Sequence, residues 1–408
     1  MIKEKNMKIS SAAKKAIAIG SLCSVSYLAV YIARNSLGAV SPQMIEGGVF
    51  TTENIGTLSS LYFITYAIGQ LINGAIGDKI KAKYMISFGL IFAGICNVVF
   101  TLFPSSLATA YVSYGAMGFC LSMIYGPMTK VVSENTEPIY ATRCSLGYTF
   151  SSFFGSPVAG LLAAFLIWQS VFHITSATLL LMGAVCFGVF TYFERKKIVE
   201  YGKYQKEKGT GSIKVLLKHQ IVKYTFVSII TGVVRTTVVF WLPTYLSQYL
   251  NFSSETSALI FTVATLVISE TTFVAVFVYE KLGRNMDLTV LLAFTAASVG
   301  FLLVFLFKSP IFNIVFLVFA IMASNSAASM LWARYCPSLR DTGMVSSVTG
   351  FLDFVSYMAA SISSTLFANA VGSIGWKPLI LIWLGLMIFG VVISLPYKTM
   401  LKKKPQEA

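Results

Sequence analysis

Apolar stretches of about 20 residues, the length that carries an α-helix across a bilayer core, recur twelve times along this 408-residue chain. They run approximately over 16–45, 56–77, 84–103, 107–131, 144–167, 171–193, 222–248, 256–279, 288–307, 311–333, 344–368 and 378–396. In lipid a backbone amide has no water to bond to, so spans of this kind form helices that satisfy their own backbone. Only 12% of the residues are charged, against roughly 25% in a soluble domain. A soluble fold is excluded, and the chain reads as an all-α integral membrane protein.

The net charge of +15 invites a nucleic-acid reading, which the placement of the charges removes. With both termini inside, 27 of the 31 Lys and Arg fall on the cytoplasmic side, while Lys308 and Lys377 lie outside and Arg34 and Arg235 lie within spans. Of the acids, eleven are inside, three outside (Glu46, Glu53, Glu255) and two within spans, Glu270 and Asp353. This is the asymmetry that orients helices in a cytoplasmic membrane. The basicity therefore reports orientation and the lipid bilayer as partner, with no nucleic acid. The basic segment 1–15 precedes an apolar stretch too long for a signal-peptide core and is expected to remain as a cytoplasmic end.

Six cysteines (Cys23, Cys96, Cys120, Cys144, Cys186, Cys336) are scattered without C-x-x-C spacing, and His173 and His219 fall on opposite sides of the membrane. No metal site, cofactor or histidine-based catalytic group is expected. An intramembrane enzyme would need a nucleophile, a metal or a paired-acid motif, and none stands out. A channel gives no reason for the basic stretch Glu194 to Lys223, which carries nine Lys and Arg and divides six spans from six.

Across that stretch the halves repeat. Arg34 is followed eight residues later by Pro42, and Arg235 eight residues later by Pro243, an offset of 201. Asp78 lies 44 residues after Arg34 and Glu280 lies 45 after Arg235; Gly147 and Gly350 match at an offset of 203. The expected organisation is a six-helix half over 1–193, a basic linker over 194–221 and a second half over 222–408. Parallel duplications of this kind occur in transporters, which bind substrate near the midplane where the halves meet.

The segment Gly74-Ala-Ile-Gly-Asp78-Lys79-Ile-Lys-Ala-Lys83 resembles the loop between helices 2 and 3 of the major facilitator superfamily, where an acid and a base latch one side shut. Gly74, Asp78 and Lys79 are the latch residues that this resemblance implies. More narrowly, Tyr31-Ile-Ala-Arg34-Asn35, Tyr66-Ala-Ile-Gly69-Gln70 through Asn73-Gly74, and Arg235 with Trp241-Leu-Pro243-Thr-Tyr245 are similar to the organophosphate:phosphate antiporter branch. The resemblance implies alternating access by a monomer. It also implies that Arg34 and Arg235 grip the phosphate of a small anionic substrate, with Tyr31, Tyr66, Gln70 and Trp241 beside them and inorganic phosphate or protons as coupling species.

Elementary physics supports the arginines independently. An Arg at mid-helix costs about 2.5–3.5 kcal/mol on insertion scales and persists where it faces water or a partner. Two planar guanidinium forks on equivalent helices suit a phosphate or carboxylate between them. The competing reading is permanent pairing with Glu270 or Asp353, since the four charges cancel. Either acid could instead carry a coupled proton or meet a cationic substrate end. Where the phosphate antiporters carry a lysine in helix 2 this chain has Gln70, and where they carry a histidine in helix 5 it has Thr149 or Phe150. A less positive cavity favours a monoanion, a phosphodiester or a zwitterion over a dianionic monoester. Tyr27, Tyr62, Tyr148 and Tyr357 add aromatic surface on the same helices, and Gly38, Pro42, Gly126, Pro127, Gly155, Pro157 and Pro243 offer bending points. Two other activities fit the same arginines: a sensor of external phosphate esters, and a proton symporter of sugar acids.

Overall fold

A computed structural model describes residues 10–77, 80–201, 213–339 and 345–395. Twelve helices in it are long and apolar enough to cross a membrane. They are α1 (Ser11–Glu46), α2 (Thr52–Asn73), α3 (Ala82–Leu102), α4 (Leu107–Asn135), α5 (Ile139–Phe165) and α6 (Trp168–Arg195). The second six are α7 (Ile221–Gln248), α8 (Ser254–Lys281), α9 (Met286–Leu306), α10 (Pro310–Tyr335), α11 (Val348–Ile374) and α12 (Trp376–Ser394). The fold is two six-helix bundles, and all twelve spans expected from the sequence are present. Residues 340–344, at the start of the eleventh expected stretch, and 396 lie outside the described residues, as do Lys203 and Lys206.

The helix starts follow ordinary capping chemistry. Ser10, Ser106, Ser253 and Asn285 each accept a backbone N–H from three residues on, at 3.1, 3.4, 3.2 and 3.0 Å, which satisfies donors the first helical turn leaves free. At Gly375, between α11 and α12, the backbone takes φ 79° and ψ −179°, a conformation essentially confined to glycine. Within each bundle buried polar side chains tie neighbouring helices. Asn73 donates to the Ser122 hydroxyl at 2.8 Å, Asn97 to Thr175 at 3.0 Å, and the Tyr245 hydroxyl to Asn313 at 2.5 Å. With no water nearby, such groups must find partners inside the protein.

Small residues bring the bundles together. A Cβ added at Gly56 on α2 would land on the Ala368 side chain of α11, and one at Gly160 on α5 would strike Thr262 of α8. Ser41 and Thr244 share a hydrogen bond of 2.7 Å between α1 and α7, and Ser361 donates to the Ser60 carbonyl at 2.8 Å between α11 and α2. Thr262 and Ser269 of α8 donate to the carbonyls of Pro157 and Phe153 on α5 at 3.4 and 3.2 Å. Among the described residues, every hydrogen bond that joins the bundles lies between the middle of the helices and the end the charge asymmetry assigns to the outside. These contacts hold the two bundles together on the outer side.

Four helices depart from regular α-helix, three near their middles and α10 at its inner end. Chain direction is interrupted in α5 at Phe154 and in α8 at Glu270, while α7 and α10 widen into π-helical turns at Val233–Val238 and Leu331–Tyr335. Irregular backbone at membrane depth is tolerated where it lines a cavity or is buried in protein, and π turns concentrate at functional sites. Gly155 accounts for the α5 break: a side chain there would collide with the backbone of Tyr31, so α5 is held hard against α1 one turn inward of Arg34.

Candidate substrate site

Arg34 emerges from the middle of α1 into a box of aromatic rings. Its guanidinium carbon lies 4.9 Å from the ring centre of Tyr357, 5.2 Å from Tyr31, and 5.5 Å from both Phe63 and Tyr66. The Nη1 group donates to the Tyr357 hydroxyl at 2.8 Å. Tyr66 and Tyr357 meet edge to face at 4.8 Å, so α2 and α11 supply two walls and α1 the third. Ring faces are negative and hold a cation without neutralising it. A guanidinium has five N–H groups, and with one given to Tyr357 the rest keep their donor capacity.

Arg235 occupies the π turn of α7. The extra residue in that turn aims its side chain toward α10, where its guanidinium carbon lies 5.9 Å from the Trp332 ring, itself in the second π turn. Among the described residues, Arg235 makes no hydrogen bond or ion pair.

Asp353 lies on α11 one turn inward of Tyr357, half-buried. It is within electrostatic reach of Arg235 and, more weakly, Arg34, and the charges of Arg34, Asp353 and Arg235 all act on Tyr357. The ion pairs among the described residues are Lys81 and Lys83 with Glu194, and Lys223 with Asp287. Neither arginine therefore has a carboxylate within 4.0 Å, and the permanent pairing weighed from the sequence is not seen.

The other expected residues fall differently. Gln70 is half-buried on α2, one turn past Tyr66. Trp241 is fully buried, packed 5.5 Å from Phe240 and against Gly56 in the outer closure, so the structure does not bring it to either arginine. Glu270 is exposed at the α8 break, without a hydrogen bond or ion pair among the described residues. Gly74 lies in the inward continuation of α2, which runs to Gly77; Asp78 and Lys79 lie outside the described residues. Phe63 and Trp332 escaped the sequence reading, as did Tyr357 as an Arg34 partner. Phe63 stands three residues before Tyr66, one turn away and so on the same face, which is the one signal that could have found it. Trp332 depends on a π turn that ends two residues before Pro337, a helix-distorting residue that was not among the expected bending points.

A twelve-helix membrane protein with two duplicated bundles and a charged, aromatic-lined centre between them has the architecture of a transporter rather than an enzyme. The Major Facilitator Superfamily model matches residues 23–364, and the chain belongs to that family. It is 25% identical to the phosphoglycerate transporter protein of Salmonella typhimurium, over 86% of this chain and 82% of that one. It is also 33% identical over 86 residues to the membrane sensor protein UhpC of the same organism; that alignment spans 21% of this chain and 20% of the sensor. In fold it is similar to a bacterial homolog of the human lysosomal transporter Spinster, solved in an inward-facing and unoccupied conformation. The TM-score is 0.74 at 12% identity, covering 97% of this chain and 99% of that one.

Proposed function

We propose that this chain is a secondary active transporter of phosphate esters, in which Arg34 and Arg235 hold the phosphate between the bundles and alternating access carries it across a cytoplasmic membrane. The observation that carries the reading is the state of the two arginines. Both sit at mid-membrane on equivalent helices, and neither is committed to a carboxylate. Keeping an unpaired guanidinium at that depth costs several kcal/mol, which an anionic ligand offsets. The phosphoglycerate transporter of Salmonella typhimurium, similar over most of its length, supports the same substrate class.

In this proposal residues 1–193 and 222–408 rock about the site while the basic linker 194–221 stays cytoplasmic with both termini. The protein acts as a monomer. Gly74, Asp78 and Lys79 form the inner latch that opposes the outer closure. Antiport against inorganic phosphate is the expected coupling. A sensing role is the second reading, favoured by the local similarity to a membrane sensor, and it differs in one measurable respect: a sensor binds without flux.

The test is counterflow in proteoliposomes, with labelled glycerol 3-phosphate outside and inorganic phosphate inside, and binding by isothermal titration for Arg34→Lys and Arg235→Lys. Lysine keeps the charge and loses the planar fork. Each substitution is expected to weaken binding by about 1.5–3 kcal/mol, roughly ten- to over a hundredfold. Near-native affinity in either variant removes that arginine from the site. Binding without counterflow selects the sensor.

A further inference from the structure

The centre of the molecule holds more than an anion clamp, and what lies inward of the arginines has chemistry of its own. Tyr27, two turns inward of Arg34 on α1, packs against Tyr31 at 4.9 Å, Tyr125 of α4 at 5.5 Å and Tyr148 of α5 at 6.0 Å. Tyr125 and Tyr148 meet edge to face at 6.0 Å. Tyr31 of α1 and Tyr357 of α11 pack on the same Arg34 guanidinium, and Tyr27 and Asp353 each lie one turn inward of those rings, so Asp353 stands at the depth of this cluster on the other bundle. Tyr125 is more than a third exposed, and Asp353 has no hydrogen-bond or ion-pair partner among the described residues. Tyr27 and Tyr148 are buried and back the exposed Tyr125 ring, and an exposed aromatic ring beside one uncommitted carboxylate makes a receptor for an ammonium group.

Charge arithmetic points the same way. Glu270 is exposed and makes no ion pair among the described residues; without it, Arg34, Arg235 and Asp353 give the centre a formal charge of +1. A phosphomonoester carries about −1.5 to −2 near neutral pH, which over-fills that charge; one bearing an ammonium does not. Asp353 and Tyr357 are one helical turn apart, about 5.4 Å along the axis, so anion and cation positions stand a short alkyl linker apart.

We infer that the substrate is a phosphate ester bearing an ammonium group on a short linker. Its phosphate lies between Arg34 and Arg235, and its ammonium lies between Asp353 and the exposed Tyr125 ring, which Tyr27 and Tyr148 support. The inference rests on the phosphate-ester reading and adds the second pole. Two sources present that chemistry, a free phosphoamine and an aminophospholipid headgroup.

The experiment is isothermal titration of the full chain in phosphatidylglycerol nanodiscs with inorganic phosphate, ethyl phosphate and O-phosphoethanolamine. Ethyl phosphate matches the carbon skeleton and lacks the ammonium. The expected result is O-phosphoethanolamine tighter than ethyl phosphate by about tenfold or more, with Asp353→Asn bringing the ratio to within about threefold. Equal binding of the two esters overturns the ammonium pocket and leaves the phosphate-ester reading standing; failure of all three probes overturns that reading itself. Should Asp353→Asn not fold, the wild-type ratio decides, and Tyr125→Leu serves as the second variant, expected to lower the ratio. An unchanged ratio in a folded variant overturns the assignment of that residue. Repeating the titration with phosphatidylethanolamine in the discs separates the sources: competition assigns the pocket to the headgroup, and its absence to the free compound.

Discussion

If the outer closure is one side of an alternating-access cycle, filling its tightest point should push the molecule toward the opposite state. Gly56 is that point. A Cβ there would land on the Ala368 side chain, stand 3.2 Å from the Ser364 carbonyl and 3.5 Å from the Trp241 ring, so Gly56→Leu cannot be accommodated with α2 and α11 in their present contact. Overpacking of this kind costs about 1–3 kcal/mol. Separating the helices also stretches the two hydrogen bonds between Ser60 and Ser361, each worth about 0.5–1.5 kcal/mol net. A combined penalty of about 2–6 kcal/mol on the outer-closed state changes its ratio to the outer-open state by roughly 30-fold to 20,000-fold. The assay uses a reporter cysteine at Ser364, which is fully buried with no partner for its hydroxyl, in a background lacking the six native cysteines. An impermeant maleimide applied to intact cells should leave Ser364→Cys unlabelled alone and label it when Gly56→Leu is added. Continued protection in a protein that stays monodisperse and binds substrate would refute the argument, because α2 and α11 would then not part during the cycle.

Other consequences follow from the same geometry. Cysteines at Glu53 and Lys377 should react with impermeant reagent in intact cells and one at Lys203 should not; labelling at position 203 would invert the topology. Asp353→Asn should impair accumulation more than exchange if that acid carries a proton, with Glu270→Gln similar or milder. A full proton-driven gradient in both variants would exclude coupling through either acid. At the inner ends of α3 and α6, the Glu194 carboxylate lies 2.6 Å from Lys81 and, by hydrogen bond and charge, holds that ammonium above its ordinary value. A raised lysine contributes fully below its unfolded value of about 10.4 and loses the contribution as pH rises through the folded one. The tether is therefore expected to be indifferent to pH through the neutral range. Glu194→Gln should lower the Lys81 midpoint in a titration of dimethylated lysines by NMR, and an unmoved midpoint would show that the contact does not persist in solution.

How much of this was legible in the sequence depends on which forces set each feature. The twelve spans were readable because bilayer thickness and backbone satisfaction act on composition and spacing alone, and charge asymmetry carries the expected orientation in the same way. Arg34 and Arg235 were readable for the same reason: a charge in an apolar stretch is conspicuous wherever it sits. Asp353 was equally visible, yet its placement inward of Tyr357 and across the bundles from Tyr125 depends on helix rotation, which packing between bundles decides. Glu270 shows the limit of equal weighting. It is as conspicuous in sequence as Asp353, but it stands at the α8 break, exposed and without an ion pair among the described residues.

The breaks explain why the site could only be half foreseen. Prolines and glycines suggested bending points, and Pro42, Pro127 and Pro243 do lie within helices, but of the four interruptions only the one beside Gly155 coincides with one of those points. The other three occur at Val233–Val238, at Glu270 and at Leu331–Tyr335; the first holds five β-branched residues after Gly232 and the last ends two residues before Pro337, weaker helix signals that the expected bending points did not include. A π turn inserts one residue and rotates everything beyond it; the α10 turn lies at the inner end of its helix, where Tyr335 stacks on Tyr224 at 3.8 Å, so Arg235 and Trp332 meet through the reach of their long side chains. The α7 turn would not persist facing lipid, where an unsatisfied backbone group costs several kcal/mol; it survives because Val233, Val234, Thr236, Thr237 and Val238 are buried in the protein, while the α10 turn lies at the inner end of its helix. The arginine in the α7 turn is thus tied to the cavity by backbone energetics as well as by charge. Substitutions that straighten this turn should disable the site without touching a side chain in it. Deleting Val234 to restore regular α7 geometry tests this directly: substrate binding is expected to be lost while the size-exclusion profile is kept, and retained binding would separate the π turn from the site.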